Sequence, residues 1–345
     1  MLLLSGSIIL YTNQNGVNLT FDSYKYIRQA GELRTDFWGF FREHWPLQTL
    51  IPLLLSVSIE DACLLATSIN GIAILGTQFL WMRMGGSRLT DDWTRRFFFV
   101  SVALSTPFLL DAAFLWTEAI YLLILSSLIW ALPLTTQQWS LPRVGWLLLL
   151  CLLLLLARKA ALVSFLGLGL FTVWQASKSP QAIRRGRYGV WVLIGGMFGY
   201  LLYLTFDKFS PDTMLSNLGA CFHYVGLWFL PKYAYWGVPL ALTAFWWTSP
   251  RTSSLSAFDK LCLVLLVTGV LARIPLYRGD LTEFDRYMSV LYPMGIFLFY
   301  RFLNEVRTAQ WSRAIYGLGV VIVLYQLVRM LKNAILWQEG GCWLS

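Results

Sequence analysis

The chain has 345 residues, 57% hydrophobic and only 13% charged, with a formal net charge of +9. A soluble domain carries roughly twice that charge fraction, so a water-soluble globular enzyme is excluded. The basic excess would suggest nucleic acid in a soluble chain. Here it flanks long apolar runs, where it orients membrane spans and meets anionic headgroups, so nucleic-acid binding is set aside.

The apolar residues are gathered into the uncharged runs Ala62–Met82, Ala119–Pro142, Ala160–Ser177, Tyr188–Phe206 and Tyr233–Pro250. Each is near the ~20 residues that cross a bilayer as a helix. The shorter runs Phe97–Leu110, Leu261–Ala272, Tyr287–Tyr300 and Ala314–Val328 reach that length when a flanking charge snorkels or faces a cavity. Cys63, Cys151, Cys221, Cys262 and Cys342 form no Cys-x-x-Cys, and with only His44 and His223 there is no zinc-type pattern. The composition predicts an all-α, polytopic membrane protein.

In chain order, Met1–Tyr11 is short for a span and lacks the basic start and small-residue cleavage site of a signal peptide. It reads as a first transmembrane helix continuing to about Asn15; a start codon set too far downstream would also leave it short. Residues 13–60 then form a long polar loop holding Asp22, Glu32, Asp36 and Glu43 with Lys25, Arg28, Arg34 and Arg42. Charges are costly in hydrocarbon, so this loop lies in water or as short helices on the membrane surface. Ser23–Leu33 is an amphipathic helical pattern, for which Asp22 is a natural N-cap. Trp45–Leu55 is too short to cross and reads as an interfacial helix.

The second span, Ala62–Met82, ends in a basic loop from Arg83 to Arg96. A third runs from Phe97 to about Leu110, Asp111 and Glu118 bracket a turn, and a fourth starts at Ala119. Trp139–Pro142 links it to a fifth, Val144–Ala157, and Arg158-Lys159 marks the turn to a sixth that ends at Lys178. Tyr188–Phe206 is the seventh. Thr213–Pro231 reads as a juxtamembrane or re-entrant helix, because only Lys232 separates it from the next apolar run. Spans at Tyr233–Thr248, Lys260–Tyr277, Tyr287–Phe302 and Ala314–Lys332 follow, with Arg278–Arg286 as a second outer polar loop. The expectation is one transmembrane domain over residues 1–345, about eleven spans and no separate soluble domain. The compact loops 83–96 and 177–187 carry eight Lys and Arg residues, which sets the first loop on the extracytoplasmic side. Asn18-Leu19-Thr20 in that loop fits a glycosylation sequon.

On this topology Asp22 and Glu118 share one side of the membrane with Arg158-Lys159 and the Arg278–Arg286 cluster. Fixed cations bind phosphate, and a carboxylate takes a proton from an acceptor hydroxyl. Together they suit a lipid carrying a phosphate-linked sugar. Structural readings stand beside this one. Asp22 and Glu118 fit helix caps, Arg158-Lys159 fits a headgroup anchor, and Arg286 fits an ion pair with Asp285 or Asp280. Asp111 fits a structural role, and Trp38, Trp45 and Trp116 fit either interfacial packing or stacking on a sugar. A transporter or flippase would carry charges along a path across the midplane. A polysaccharide polymerase or ligase would concentrate basic residues in a large late loop. Here the charges gather at one surface and the largest loop is the first.

The sequence Asp22-Ser-Tyr-Lys-Tyr-Ile-Arg-Gln-Ala resembles the first-loop signature of the GT-C superfamily of membrane glycosyltransferases. Trp45-Pro-Leu-Gln-Thr-Leu-Ile-Pro-Leu-Leu-Leu-Ser resembles its Pro- and Leu-rich stretch, and Ile59–Ile72 its acidic and Asn-Gly lead-in to the next span. Thr117-Glu118 stands where many members have a second acidic residue. Ala157-Arg158-Lys159-Ala160 resembles the phosphate-contacting turn, and Asp285-Arg286-Tyr287-Met288…Pro293 resembles the late Arg-Tyr…Pro motif. The pattern is similar to the type that includes aminoarabinose transferase and protein O-mannosyltransferase.

This resemblance implies inverting transfer from a polyprenyl-phosphate-sugar to an extracytoplasmic lipid, glycan or protein, in a bacterial inner membrane. It implies Asp22 as general base, with Tyr26, Glu118, Arg158, Lys159, Arg286 and Tyr287 binding substrate. It implies no obligatory cofactor; a divalent metal is compatible with it but not indicated. Two departures bear on this. Ser23 stands where some members have a further acidic residue, and the chain ends after its last spans, without the soluble C-terminal domain of some members.

Overall fold

All regular structure among the described residues of the computed structural model is α-helical, apart from one isolated β-bridge. The structure describes residues 1–44, 48–132, 140–178, 255–276, 284–306 and 312–338. The helices are α1 (Leu2–Thr12), α2 (Phe21–Thr35), α3 (Phe37–His44), α4 (Leu50–Leu55), α5 (Ala62–Gly86), α6 (Asp92–Ala103) and α7 (Thr106–Ala113). They continue as α8 (Glu118–Ala131), α9 (Leu141–Ala157), α10 (Ala161–Lys178), α11 (Ala257–Leu276), α12 (Phe284–Ser289), α13 (Tyr292–Val306) and α14 (Ser312–Gln338).

Ala62–Gly86, Asp92–Ala113 and Tyr316–Gln338 are long and apolar enough to cross a membrane, and α1, α8, α9 and the first part of α10 are shorter apolar helices. This is a helical membrane protein. The expected spans at Tyr188–Phe206 and Tyr233–Thr248, the segment Thr213–Pro231 and the loop from Arg278 to Glu283 lie outside the described residues.

The chain divides into two units. In the first (Met1–Leu132, Pro142–Lys159 and Leu303–Ser345), paired contacts fix the direction of each leg. Gly6 meets Leu75 and Gly71 meets Ile9, so α1 and α5 are antiparallel. Gly86 meets Phe99 and Asn70 reaches Phe114, so α6–α7 also opposes α5. Gly76 meets Leu123 while Trp81 Nε1 donates to Ser126 Oγ at 2.9 Å, so α8 runs parallel to α5. A Cβ at Gly76 would sit 2.9 Å from Leu123 Cδ1, and the missing side chain is what lets these two helices approach. Arg158 pairs with Glu118 and Arg143 donates to Ala131 O, so α9 returns along α8. Trp93 packs on Tyr316 and Phe114 on Trp337, so α14 runs with α6–α7. One end of these legs therefore gathers the first loop, the start of α8, the end of α9 and the end of α14. The opposite end holds Asp91, whose N–H donates to Asn304 Oδ1 at 3.0 Å.

One expectation changes in detail. The third span is two helices, because Ser105 accepts from the Phe108 N–H and Pro107 has no N–H to continue the α6 ladder. Gln78 donates to the freed carbonyls of Val102 and Ala103 at 3.2 and 3.4 Å. The turn expected between Asp111 and Glu118 is Phe114–Thr117, and Asp111 is fully buried in the last turn of α7. In the expected interfacial helix, the described part α4 buries Leu50, Ile51, Pro52 and Leu55 under α2.

In the second unit, α10 packs on α11 through Gly167, whose missing Cβ makes room for Leu265 and Thr268. Asp259 at the start of α11 is fully buried. Its Oδ2 accepts from Ser256 N–H at 2.8 Å and from Arg301 Nε at 3.4 Å.

The chain leaves α1 by a turn in which Gly16 N–H donates to Asn13 O and Gly16 adopts φ 89°. An L side chain there costs about 1–2 kcal/mol, and more when β-branched. Gly16→Val is expected to lower the thermal midpoint of the purified protein, whereas Gly16→Asn retains most of it, as differential scanning fluorimetry in detergent would show.

Candidate active site at the first-loop end of the helices

The site is built on a stitch between two extended segments. Asn18 N–H donates to Ala113 O at 2.7 Å, and Leu115 N–H donates to Asn18 O at 3.1 Å. The Asn18 amide adds bonds to Ala113 O at 3.0 Å and Trp337 O at 3.1 Å. Asn13 reaches Ala112 O, Asn15 reaches Gln338 O and Asn70 reaches Phe114 O at 2.7–3.1 Å. These amides satisfy the carbonyls left open where α7 and α14 end. Because Asn18 is buried with its amide doubly engaged, the sequon at Asn18-Leu19-Thr20 is closed to modification in the folded chain.

The stitch fixes α2. Thr20 is its N-cap residue; Thr20 N–H donates to Ser23 Oγ at 2.9 Å, and the Thr20 hydroxyl accepts from Trp116 Nε1 at 2.9 Å. Ser23 Oγ donates to Leu115 O at 2.9 Å, and Phe114 stacks on Trp116 with centroids 4.5 Å apart. Asp22 is therefore not the cap. It stands half-buried in the first turn of α2, where the unpaired N–H groups of a helix start favour a carboxylate.

Tyr26, expected at the substrate, is buried in an apolar cluster with Val17, Ala30, Ile51, Leu55, Ala62, Ala66 and Leu115. It anchors α2 from beneath. That cluster holds the Asp22 helix against the starts of α5 and α8.

Three residues beyond Leu115, Glu118 opens α8. It is fully buried, and its Oε1 lies 2.5 Å from Arg158 Nη1. The guanidinium is buried as well, so each charge is compensated by the other. The expected pair of phosphate-binding cations is divided by this geometry: Arg158 turns inward to Glu118 and Lys159 is exposed. In the second unit, Arg286 is buried on α12, and its carbonyl accepts from the Ser289 hydroxyl at 2.6 Å. The side chain of Tyr287 lies outside the described residues. Among the described residues no three metal-ligating side chains gather.

Sequence reasoning missed the asparagine stitch and the Glu118–Arg158 contact. Signals for both were present. The amide-rich run from Asn13 to Asn18 sits where one apolar segment ends, and Glu118 and Arg158 stand at facing ends of consecutive spans. In comparisons with known proteins, no family model matches the chain and no curated protein is detectably similar in sequence.

Removing one partner of a buried ion pair leaves an uncompensated charge, at a cost of about 3–5 kcal/mol. Glu118→Gln and Arg158→Met are each expected to destabilise the protein by that order. The double variant Glu118→Leu with Arg158→Met is expected to recover most of it, measured by thermal unfolding in detergent.

Proposed function

We propose that the protein transfers a sugar from a polyprenyl-phosphate donor to a hydroxyl acceptor on the extracytoplasmic face of a bacterial inner membrane. The observation that carries this reading is the buried Glu118–Arg158 pair, bound through residues 114–117 to the helix that bears Asp22. A half-buried carboxylate and an oriented guanidinium at one end of apolar helices are the two groups this reaction needs.

In the proposed reaction the acceptor oxygen attacks the anomeric carbon from the face opposite the phosphate. Its proton passes to Asp22 as the new carbon–oxygen bond forms. The bond between sugar and phosphate breaks, its electron pair remaining on the polyprenyl phosphate, and the configuration inverts. Lys159, exposed at the end of α9, meets the phosphate charge, and the Arg158 fork, already balanced by Glu118, offers N–H donors at the same turn. In place of the substrate contact expected of it, Glu118 acts here by holding the guanidinium fork in place. A phosphate leaves once its charge is met, so no second acid is needed, in contrast to glycoside hydrolysis.

A second reading, transport of a lipid-linked or anionic substrate, is favoured by the broken α6–α7 span. Discontinuous helices mark substrate sites in many transporters. At this break Gln78 Oε1 and Thr106 Oγ1 are buried with no hydrogen-bond partner among the described residues. The two readings part at Asp22, which the transfer reading uses as general base and the transport reading does not.

The deciding comparison is the mass profile of cell-envelope glycans from a deletion strain, the strain restored with wild type, and the strain restored with Asp22→Asn at equal membrane abundance. General-base catalysis contributes about 10²–10⁴-fold. Transfer predicts one sugar mass that is lost on deletion, returns with wild type and stays absent with Asp22→Asn. Full restoration by Asp22→Asn would remove Asp22 from the chemistry and bring transport forward.

A further inference from the structure

The two sides of α2 differ in a way that bears on the acceptor. Ser23, Tyr26, Ala30 and Leu33 recur at helical spacing and face the core. On the other side stand Phe21 at 88% exposure, Tyr24 at 57%, and the exposed cations Lys25 and Arg28. These four follow the i, i+3, i+4, i+7 spacing of one helix face, and Asp22 shares their first turn.

Aromatic side chains this open are costly in water, and at a membrane they mark the headgroup layer, where one end of a ring is apolar and the other wet. Cations in the same stripe complement phosphate-bearing headgroups. Arg28 shares its charge with Glu32 at 3.4 Å, so Lys25 supplies most of this attraction. Of this stripe, Lys25 at i+3 is the neighbour of Asp22 on the helix surface, and a polar, soluble acceptor would have no use for two open rings in the turn that carries the base. An amphiphile lying in the interface would.

Resting on the transfer reading, we infer that the acceptor is a membrane lipid with a phosphate and a free hydroxyl in its headgroup, docked on the Phe21–Tyr24–Lys25–Arg28 face of α2. The lipid hydroxyl oxygen bonds to the anomeric carbon and its proton goes to Asp22. The electron pair of the broken sugar–phosphate bond stays with the polyprenyl phosphate, so the products are a glycosylated lipid and the free carrier phosphate.

The test fractionates envelopes of the restored deletion strains into organic-extractable lipid, polysaccharide and protein, and follows the Asp22-dependent sugar by mass. The strains carry wild type, Asp22→Asn, the double variant Phe21→Ser with Tyr24→Ser, Lys25→Ser alone, and Val57→Ser as an exposed apolar control on another segment. The sugar is expected on a lipid. It is expected to be lost with Asp22→Asn, reduced at least tenfold in the double variant, reduced several-fold with Lys25→Ser, and unchanged with Val57→Ser, all at equal membrane abundance. An Asp22-dependent sugar on protein or polysaccharide overturns the lipid acceptor while leaving sugar transfer intact. So does a lipid-borne sugar indifferent to both the double variant and Lys25→Ser, as regards docking on α2. Should no sugar depend on Asp22, the transfer reading fails and takes this inference with it.

Discussion

The short pairing of Asn18 with Ala113 and Leu115 is the constraint on which the first-loop end depends. Extended backbone beside apolar helices has no helical partners for its N–H and C=O groups, and each group left unpaired costs about 1–3 kcal/mol. Here two such segments satisfy one another, and the amides of Asn13, Asn15, Asn18 and Asn70 take up carbonyls at the ends of α7 and α14. One set of hydrogen bonds thereby ties together residues far apart in the chain, from Asn13 to Gln338. The position of α2, and so of Asp22, follows from it through Thr20 and Ser23.

Charge is handled by a second rule. Exposed pairs such as Arg28–Glu32 and Arg34–Glu60 are worth little, since water screens both partners. The buried pairs differ in kind. Glu118–Arg158 and Asp259–Arg301 each withdraw two charges from water, and the attraction repays that desolvation only when the geometry holds. Such a pair specifies position more than it adds stability. Glu118–Arg158 closes one end of the α8–α9 hairpin while Arg143 on Ala131 O closes the other, so the register of two largely featureless Leu-rich helices is set by polar contacts at their termini.

The proposed chemistry draws on these two constraints at one end of the helices. The stitch sets where the carboxylate of Asp22 stands, and the ion pair sets how the Arg158 fork points. The exposed aromatic side of α2 then becomes the surface by which a substrate in the headgroup layer meets them, and the buried side, with Tyr26, keeps that surface in place.

Much of this was legible in the residues. Hydropathy and the scarcity of charge determined a helical membrane protein, because a bilayer leaves a helix no alternative way to satisfy its backbone. The ends of α5, α9 and α10 fell within a few residues of the apolar runs, and the amphipathic spacing of α2 was plain. The break between α6 and α7 was signalled by Ser105-Thr106-Pro107 but concealed by the apolar residues on both sides. Other features were decided by tertiary structure. Asp22 matched an N-cap until Thr20 and Ser23 took that place. Tyr26 and Tyr24 are alike in sequence, yet one is core and the other surface, because which stripe of α2 is covered depends on where α4 and α5 lie. Arg158 and Lys159 are neighbours of equal charge, and only the arrival of Glu118 from another helix turns one inward. Local pattern fixes what each segment is; which charges meet depends on contacts between residues distant in the chain, and these exist only once the helices have packed.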